Sequence, residues 1–480
     1  GERVVDYGAL DAAMDRVAAR LQAAGAPHRR ALAICAPNSI EYVEVFFGAL
    51  RAGMAAAPIS PALTPDTVAA MAIDSGAPML FVDAATDAAL GARVTPPRVR
   101  LEAAALGRWL APYAPAPAAA PVAPDWPFNI IYSSGTTGEP KGIVQPHSMR
   151  WAHVQRGAAY GYGSDCVTLV STPLYSNTTL VAALPTFALG GTAVLMEKFE
   201  PAAFLALAER HRVTHAMLVP VQYRRILEHP EFGRHDLSSF RMKFSTSAPF
   251  APALKAAALD RWPGGLVEYY GMTEGGGTCV LVAHEHRGKL HTVGRPAPGH
   301  DIRVIDERGR ELARGATGEV VGRSPAMMTG YHNRPERTAE SEWFDAEGRR
   351  FIRTGDVGRF DADGFLVLVD RRKDVIISGG FNVYPSDLEA VVASHPAVAE
   401  AAVAGVPSAQ WGETPVAFVV AKPGAALEAG ELLDWCNARL GKVQRLSAVE
   451  RIESLPRSAI GKVLKRELRE AYAARVRPRT

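Results

Sequence analysis

The sequence predicts an α/β protein in which a large multilayered α/β N-terminal domain with a β-rich subdomain precedes a small α+β C-terminal domain. Apolar strands alternate with amphipathic helices in the first part of the chain, and beyond Val293 the pattern changes to short strands and turns. At 480 residues the chain is too long for one compact core. The charged run Asp370–Asp374 marks the best boundary, so we predict domains at residues 1–370 and 371–480.

The N-terminal part shows the alternation most clearly. Asp11–Ala24 has apolar residues at helical spacing and predicts an amphipathic helix. Ala31–Cys35 and Met79–Val82 are short apolar runs typical of buried strands, and Ile40–Gly53 predicts a helix between them. Ala111–Asp125, rich in Ala and Pro without periodicity, is expected to be a surface connection. This order favours parallel strands covered by helices.

The longest uncharged stretch, Cys166–Met196, is predicted to be buried core and not a membrane span. Pro173, Pro185 and a pair of glycines interrupt it and are expected to leave an apolar helix, a turn and the strand Thr192–Met196. The other predicted elements, in chain order, are the helix Phe204–Arg212, the strands Ala216–Val219, Met242–Phe244, Asp301–Ile305 and Thr317–Val321, the helix Leu388–Ala393, the strands Ala401–Ala404 and Val416–Val420, and the helix Leu432–Leu440.

Composition narrows the function classes. A formal net charge of +3 gives no reason to expect nucleic acid, and 48% hydrophobic with 21% charged residues is ordinary for a globular enzyme. The four cysteines form no metal or disulfide pattern, which predicts a reducing cytoplasm. The first residues lack a signal pattern, and we expect a short leading segment to precede them. A monomer or homodimer is expected.

A segment rich in Gly, Ser and Thr runs from Tyr132 to Gly142, directly after the apolar run Phe128–Ile131. Its glycines allow tight turns that bring N–H groups to a ligand, while hydroxyls and Lys141 add donors and a positive charge. These groups suit a polyphosphate. A P-loop is excluded, because Pro140 and Gly142 stand where that motif requires Gly and Ser or Thr.

Further motifs follow in a fixed order. They are Tyr270–Glu274, Thr354–Asp356, Asp370–Asp374 followed by Ile377–Pro385, and Leu455–Lys462, with lesser matches at Gly294–Pro296 and Gly330–Glu336. Together with the Gly/Ser/Thr segment they resemble the acyl-adenylate-forming (AMP-binding) superfamily, closest in pattern to acyl-CoA synthetases and aryl-CoA ligases. The resemblance spans nearly the whole chain and implies a C-terminal domain that rotates between two half-reactions.

The resemblance implies that a carboxylic acid and ATP give acyl-AMP and pyrophosphate, and that the acyl group then passes to coenzyme A. Lys462 is the implied catalytic lysine, Thr273 binds the α-phosphate and Glu274 ligates Mg²⁺. The other residues implied to bind ATP or AMP are Ser133, Ser134, Gly135, Thr136, Thr137, Gly138, Lys141, Ser247, Ala248, Pro249, Tyr269, Tyr270, Gly271, Met272, Asp356 and Arg371.

The second half-reaction depends on the C-terminal domain. Lys373 occupies the implied hinge position, flanked by charges that can remain solvated in both states of the hinge. The turn of Ser378, Gly379 and Gly380 is implied to line a pantetheine tunnel. Trp411 is placed like a residue that packs on CoA in some aryl-CoA ligases, and a buried structural Trp is the alternative.

The implied acyl pocket is apolar or weakly polar. Gly271 leaves room where acetate-type enzymes resemble one another in carrying a Trp, and no cation is present to pair a second carboxylate. The implied pocket residues are Tyr175, Ser176, Val221, Thr246, Gly271 and Gly276. We therefore predict an aryl, alicyclic or medium-chain monocarboxylic acid. Departures from the family pattern at Ser176 and Thr246-Ser247 affect the acid, and the missing proline at Lys442–Arg445 affects CoA contacts.

Plainer interpretations stay open for single motifs. Tyr269-Tyr270 can be core aromatics, Thr354–Asp356 a turn, Asp370–Asp374 a solvated run, and Cys279 an inert buried thiol. The alternative function is a stand-alone enzyme that loads an acyl carrier protein, although we expect no fused carrier domain after Thr480, which favours free CoA. A catalytically silent binding protein is disfavoured by the complete residue set, and a luciferase-like oxygenase has no separate motif.

Overall fold

The computed structural model describes residues 3–26, 28–111, 116–134, 140–378, 381–408, 410–457 and 463–476. Two compact units divide the chain. The first comprises Gly1–Leu290, Pro296–Ile302 and Gly322–Ile352, and the second comprises His291–Arg295, Arg303–Val321 and Arg353–Thr480. The α/β architecture with a larger first and a smaller second unit is confirmed, while the predicted boundary after residue 370 and the rotation of the second unit stay predictions.

The strands are β1 (Ala31–Cys35), β2 (Ala55–Pro58), β3 (Leu80–Val82), β4 (Arg98–Arg100), β5 (Pro127–Ser134), β6 (Pro140–Pro146), β7 (Val167–Val170), β8 (Thr192–Leu195), β9 (His215–Leu218), β10 (Met242–Ser245), β11 (Gly265–Gly271), β12 (Thr278–Val282), β13 (Arg295–Pro296), β14 (Asp301–Ile305), β15 (Gly318–Arg323), β16 (Gly330–Tyr331), β17 (Glu342–Phe344), β18 (Arg350–Phe360), β19 (Leu366–Arg371), β20 (Ile376–Ser378), β21 (Phe381–Val383), β22 (Val398–Ser408), β23 (Gly412–Ala421) and β24 (Ala448–Arg451).

The α-helices are α1 (Tyr7–Ala23), α2 (Ile40–Arg51), α3 (Pro65–Asp74), α4 (Ala84–Leu90), α5 (Ala103–Leu110), α6 (His147–Ala158), α7 (Asn177–Ala188), α8 (Pro201–Arg210), α9 (Pro220–Leu227), α10 (Pro252–Arg261), α11 (Pro335–Glu340), α12 (Pro385–Ala393), α13 (Ala429–Asn437) and α14 (Lys465–Val476). Short 3₁₀ helices cover Phe232–Arg234, Arg287–Lys289, Arg372–Asp374 and Lys442–Gln444.

Two sheets of seven strands form the layers of the first unit. Their strand orders are β16-β6-β5-β2-β1-β3-β4 and β13-β12-β11-β10-β9-β7-β8. The interior strands run parallel, as for β10 beside β9 and β11, and antiparallel strands close one edge, as for β12 on β11. Parallel strands need helical crossovers, which explains why the strand and helix patterns alternate in the sequence.

Most predicted elements occur, with shifted ends. α1 begins before the predicted Asp11, because the Asp6 side chain accepts from the Ala9 N–H at 2.7 Å and caps the helix. α7 contradicts the expected break at Pro185, since the helix continues through this residue. Pro185 packs tightly on α6 there: a Cβ added to Gly157 would lie 2.5 Å from the Pro185 Cβ.

The second unit contains a small α+β layer. Its sheet has the order β21-β20-β23-β22, with β24 parallel to β23. Leu388 and Val392 of α12 and Leu432 of α13 are buried on this sheet with Val403 and Val419. The same unit holds the antiparallel pair β18–β19, so short strands dominate as the sequence indicates. No helix in the described ranges is long and apolar enough to cross a membrane.

Candidate active site

The predicted site residues are divided between the two units, so each part is described separately. The first unit holds the Gly/Ser/Thr segment, Tyr269–Glu274 and the predicted acyl pocket, and the second unit holds Asp356, Arg371 and the predicted CoA residues. The predicted residues that lie outside the described residues are Gly135, Thr136, Thr137, Gly138, Gly379, Gly380 and Lys462.

The strands on both sides of the predicted phosphate-binding segment form a hairpin. β5 pairs antiparallel with β6, and the Cα partners include Ser133 with Lys141. Tyr331 of β16 pairs with Ile143 of β6. The Lys141 Nζ consequently lies 5.5 Å from the centroid of the Tyr331 ring. Lys141, the cation that is predicted to bind phosphate, therefore lies beside the Tyr331 ring.

Thr273 and Glu274 follow β11 directly, at the end of the parallel strands. β10 pairs with β11 through Ser245 and Glu268, so residues 246–249 and 272–274 leave the sheet at the same edge. Ligands of α/β sheets bind outside this carboxyl edge. The Tyr331 hydroxyl donates to Glu274 Oε1 at 2.8 Å, and burial together with this carboxylate raises the pKa of Tyr331 above its usual value. The phenol therefore remains a donor.

Ser247 adopts a backbone conformation that is unusual for its residue type. Its φ is +80°, which L-residues other than Asn and Asp rarely adopt. The Thr178 and Ser247 hydroxyls are 2.5 Å apart, which links this strained residue to α7. The conformation explains why glycine suits this position, where the family pattern has Gly-Gly. Strain of this kind is concentrated at functional sites.

The two neighbouring tyrosines have different environments. Tyr269 is buried, and its ring stacks on Phe244 with centroids 5.7 Å apart. The Arg156 guanidinium lies 4.8 Å from the Tyr269 ring centroid. Tyr270 is half-buried. The core interpretation therefore applies to the Tyr269 side chain, and an adenine contact is now expected of Tyr270 alone.

A buried polar network contacts Thr273 from inside the unit. The Gln145 Nε2 donates to the Thr273 carbonyl at 2.6 Å. The Arg150 Nε donates to Asn129 Oδ1 at 2.8 Å, and a second guanidinium nitrogen of Arg150 donates to Gln145 Oε1. Asn129, Gln145 and Arg150 are all buried. Sequence reasoning missed these three residues although Asn129 and Gln145 flank the Gly/Ser/Thr segment, because no residue pattern indicates that their side chains contact Thr273.

The predicted acyl-pocket residues lie around the same edge of the sheet. Tyr175 and Ser176 precede α7, where Ser176 caps the helix. Gly271 ends β11 and is exposed. Gly276 is different: a Cβ there would lie 2.7 Å from the Ile352 Cβ, so its side-chain direction is filled by packing. The acyl-binding role of these residues, together with Val221 and Thr246, stays a prediction.

A separate cavity of about 460 Å³ lies among α1, α2, α6 and α7. Phe47, Phe128, Trp151, Leu184 and Phe187 contribute to its apolar lining. None of the predicted acyl-pocket residues lines it. It therefore does not provide the acyl pocket that the sequence predicts.

In the second unit, Asp356 and Arg371 form an ion pair. They are Cα partners on β18 and β19, and Arg371 Nε lies 3.0 Å from Asp356 Oδ1. Thr354 accepts from the Asp356 N–H and donates to the Val320 carbonyl. Thr354–Asp356 is part of a strand, so the interpretation as a turn is wrong.

The charged run at the predicted hinge is paired. Arg372 contacts Glu319 at 2.9 Å and Asp374 contacts Arg469 at 3.0 Å. Arg372 remains 56% exposed in its ion pair and fits the expectation that the flanking charges can remain solvated, whereas Asp374 is only 15% exposed and does not. Lys373 itself is exposed in the 3₁₀ helix between them. Its role as a hinge stays a prediction.

Two predicted CoA residues lie together. Ser378 of β20 and Gly412 of β23 are Cα partners, which places Ser378 beside the neighbour of Trp411. Trp411 is 51% exposed, so its interpretation as a buried structural residue is wrong. Ile377 and Phe381 in this region are also exposed. This exposed apolar group is available for a ligand, and its role in binding CoA stays a prediction.

The cysteines form no disulfide, and one carboxylate is a candidate metal ligand. All four cysteines are buried. Cys279 is buried, as the interpretation as an inert thiol expects, and burial raises its pKa. The described residues contain no group of three or more His, Cys, Asp or Glu side chains that can hold a metal. A single half-buried carboxylate such as Glu274 fits Mg²⁺, which is usually bound by one or two carboxylates plus substrate phosphates.

Comparison with known proteins identifies the family. Residues 1–332 match the model of the AMP-binding enzymes, and residues 387–462 match that of the AMP-binding enzyme C-terminal domain. The chain therefore belongs to the AMP-binding enzyme family, and the resemblance found in the sequence is confirmed.

Individual relatives are similar over nearly their full length. A feruloyl-CoA synthase of Amycolatopsis sp is 36% identical over 489 residues, covering 98% of this chain and 95% of the relative. The fatty acid–[acyl-carrier-protein] ligase ScoC of Streptomyces coeruleorubidus is 34% identical over 484 residues, covering 98% and 92%. The structure of ATP-bound MatB from Rhodopseudomonas palustris superposes with a TM-score of 0.89 at 31% identity, covering 97% and 93%.

Proposed function

We propose that this protein is an AMP-forming acid–thiol ligase that activates a carboxylic acid with ATP and transfers the acyl group to coenzyme A. One observation carries the proposal in the first unit. The Tyr331 ring lies beside the Lys141 ammonium, and its hydroxyl holds Glu274. A cation suited to phosphate and a carboxylate suited to Mg²⁺ are therefore placed around one side chain.

Adenylation needs positioning and charge neutralisation more than a protein nucleophile. A carboxylate oxygen of the acid attacks the α-phosphorus of ATP, an acyl–phosphate bond forms, and pyrophosphate leaves. In this proposal Lys141 and the preceding hydroxyls bind the outer phosphates, and Thr273 binds the α-phosphate. Lys462 stabilises the charge that develops between the acid and the α-phosphate. The family membership and the ATP-bound neighbour support ATP as the nucleotide.

Glu274 is the residue that would hold Mg²⁺, which neutralises phosphate oxygens when it is bound. Its carboxylate is half-buried and contacts Tyr331 through Oε1. A carboxylate has about four lone-pair sites, so one hydrogen bond leaves acceptor capacity for a cation. The donor set therefore fits the metal.

Ribose binding is assigned to the second unit. The Asp356 carboxylate is largely buried and oriented by Arg371 at 3.0 Å. Such a carboxylate can accept from both ribose hydroxyls, and Arg371 lies on the same side of the strand pair. After adenylation, the C-terminal domain would rotate at Lys373. This rotation would withdraw Lys462 and admit the thiol acceptor. Ser378 and Trp411 are proposed to contact the pantetheine arm.

The acceptor has one serious alternative, an acyl carrier protein. ScoC, which is named a fatty acid–[acyl-carrier-protein] ligase, is nearly as similar as the feruloyl-CoA synthase. Both acceptors end in the same thiol. Free CoA is proposed as the main acceptor, and the carrier protein remains the second candidate. A cytoplasmic location is part of the same proposal.

The acid is proposed to be an aryl, alicyclic or medium-chain monocarboxylate. Gly271 is exposed at the end of β11, and the half-buried residues Tyr175, Val221 and Thr246 bring no charge. The feruloyl-CoA synthase relative supports an aryl acid.

The test is a panel of acids with ATP and Mg²⁺, offered with CoA or with a phosphopantetheinylated carrier protein in separate reactions. Pyrophosphate release reports adenylation, and mass spectrometry identifies acyl-AMP and thioester. The proposal expects acid-dependent pyrophosphate release and a CoA thioester. Absence of pyrophosphate with every acid would refute ligase activity, and thioester on the carrier protein alone would establish the second candidate.

A further inference from the structure

Four buried residues of the first unit form a polar cluster that the proposed reaction does not use. We call Asn129, Gln145, Arg150 and His153 the Arg150 network. Arg150 Nε donates to Asn129 Oδ1 at 2.8 Å, and Arg150 also donates to Gln145 Oε1. Its remaining terminal nitrogen lies 3.4 Å from His153 Nδ1. Only 2% of Arg150 is exposed.

Burial of the Arg150 guanidinium is energetically unfavourable. Among the described residues no carboxylate forms an ion pair with it, and amide oxygens are its acceptors. Burial lowers the pKa of the guanidinium to about 9, so the side chain is still cationic at neutral pH. Burying a charge without a counter-charge destabilises the folded state. Its presence therefore calls for a role beyond packing.

The orientation of the Gln145 amide follows from its partners. Arg150 and the Asn129 Nδ2, at 2.8 Å, both donate to Oε1. The opposite end, Nε2, donates to the Thr273 carbonyl at 2.6 Å and to Asn177 Oδ1 at 3.2 Å. Because the guanidinium has no acceptor, the oxygen must face Arg150. The N–H groups must then face Thr273.

This orientation connects the cation to the active-site motif. A positive charge at the oxygen of an amide polarises it and strengthens the hydrogen bonds that its nitrogen donates. The Thr273 carbonyl belongs to the planar peptide that joins Thr273 to Glu274. One hydrogen bond from Gln145 therefore restrains both residues that the proposed reaction needs.

We propose that Gln145 and Arg150 are positioning residues for adenylation: Arg150 fixes the Gln145 amide, which holds the peptide between Thr273 and Glu274. The inference rests on the proposed function for the roles of Thr273 and Glu274. The competing explanation is that the Arg150 network only stabilises the fold.

Two substitutions at one position separate these explanations. Gln145→Glu keeps acceptors for Arg150 and Asn129 and adds a counter-charge, so it should preserve or raise stability. It replaces the donor to Thr273 by a carboxylate oxygen, which repels the carbonyl. Gln145→Leu instead removes the acceptor of a buried cation and should lower the denaturation midpoint.

The matched control is Gln22→Glu. The Gln22 amide of α1 also donates to a backbone carbonyl, that of Ala118, at 2.9 Å. Each variant is compared with wild type by denaturant unfolding, by calorimetric binding of ATP with Mg²⁺, and by kcat and KM for pyrophosphate release. ATP binding is measured without acid, so it reports on the positioning even if no acid in the panel reacts.

We expect Gln145→Glu to weaken ATP binding and to lower kcat for pyrophosphate release by up to about 100-fold, the scale of a small misplacement of reacting groups. Its unfolding midpoint should equal or exceed that of wild type, and Gln22→Glu should bind ATP as wild type does. Wild-type ATP binding and kcat in Gln145→Glu would overturn the proposal. If the wild-type protein releases no pyrophosphate, the proposed function is refuted. The positioning role is then decided by comparing the ATP affinity of Gln145→Glu with that of wild type.

Arg150 is tested through its dependence on Gln145. Arg150→Met should lower kcat less than Gln145→Glu does, because Asn129 still donates to Gln145 Oε1. In the Gln145→Leu background, Arg150→Met should change kcat no further, because the Gln145 amide through which Arg150 acts is already absent. An equal loss in both backgrounds would show that Arg150 acts independently and would overturn its part in the proposal.

Discussion

Replacing Tyr331 by phenylalanine removes one oxygen atom and leaves the ring that lies beside Lys141. The lost contact is the donation to Glu274 Oε1 at 2.8 Å. Because the ring remains, the distance of 5.5 Å between the Lys141 ammonium and the ring centroid should persist. Tyr331→Phe therefore tests the hydroxyl alone.

The magnitude follows from the kind of bond that is lost. A hydrogen bond to a charged group contributes about 1.5–3 kcal/mol, and loss of a group that orients a metal ligand typically costs about 10–100-fold in metal affinity. The hydroxyl occupies one acceptor site of the carboxylate and leaves others, so it should assist Mg²⁺ binding and not compete with it. We expect the Mg²⁺ concentration for half-maximal pyrophosphate release to rise by about 10–100-fold.

The assay varies free Mg²⁺ at saturating ATP and is paired with direct binding of Mn²⁺ followed by electron paramagnetic resonance in the presence of a non-hydrolysable ATP analogue. Tyr7→Phe is the control, because Tyr7 donates to the Gly191 carbonyl at 2.7 Å and no site role is assigned to it. A lower Mg²⁺ requirement in Tyr331→Phe would mean that the phenol competes with the metal. An unchanged requirement would mean that Glu274 is not a ligand. Either result refutes the reasoning.

Four other outcomes are expected. Lys462→Ala should reduce adenylation by about 10²–10³-fold with unfolding unchanged, whereas near-normal pyrophosphate release would contradict the assignment. Lys373→Pro, which fixes φ near −65°, should let acyl-AMP accumulate in the presence of CoA, whereas Lys373→Ala should not; equal loss of both half-reactions would contradict the hinge. Gly271→Trp should shift preference from larger acids towards acetate, with added strain because a Cβ there lies 3.3 Å from the Gly277 carbonyl; a wild type that already prefers acetate would refute this pocket. Burial raises the pKa of Glu268 above its usual value even though the Lys255 ammonium lies 2.5 Å from Glu268 Oε2, so the folded state keeps a proton that the unfolded state loses, and the free energy of unfolding should fall as the pH rises, by at most about 1.4 kcal/mol per pH unit; Glu268→Gln should remove this slope in denaturant unfolding measured from pH 4.5 to 7.

The sequence predicts the layers of the fold because the signals are local. β1 matches its predicted bounds, Ala31–Cys35, since a fully buried strand is a continuous apolar run. Pro185 fails as a break because its cost in a helix depends on tertiary packing, here against Gly157. Helix ends move for a different reason: Asp6 caps α1 by a local hydrogen bond that lies outside the apolar pattern.

Site residues can be predicted from the sequence where they belong to a recognisable motif. They cannot be predicted where their role depends only on contacts made in the folded structure. Thr273 and Glu274 stand in a recognisable motif. Gln145 and Arg150 are polar residues on a buried strand and helix, and their contact with Thr273 depends on packing between distant segments. Tyr331 lies in a lesser motif, and its bond to Glu274 depends on the pairing of β16 with β6.

Two locally unfavourable residues, Ser247 and Arg150, and one ordered carboxylate, Glu274, are linked to the carboxyl edge of the second sheet. Ser247 keeps a positive φ, which costs about 1–3 kcal/mol for residues held in such regions. Arg150 keeps a buried charge without a carboxylate partner among the described residues, and Tyr331 orders the carboxylate of Glu274. Their partners come from several elements: Thr178 of α7 for Ser247, strands β5 and β6 for Arg150, and the pairing of β16 with β6 for Tyr331. Natural sequences retain such conflicts with local rules at functional sites, where the surrounding structure can impose them. Their convergence on residues 245–274 therefore supports the nucleotide site there on grounds that are independent of the motifs.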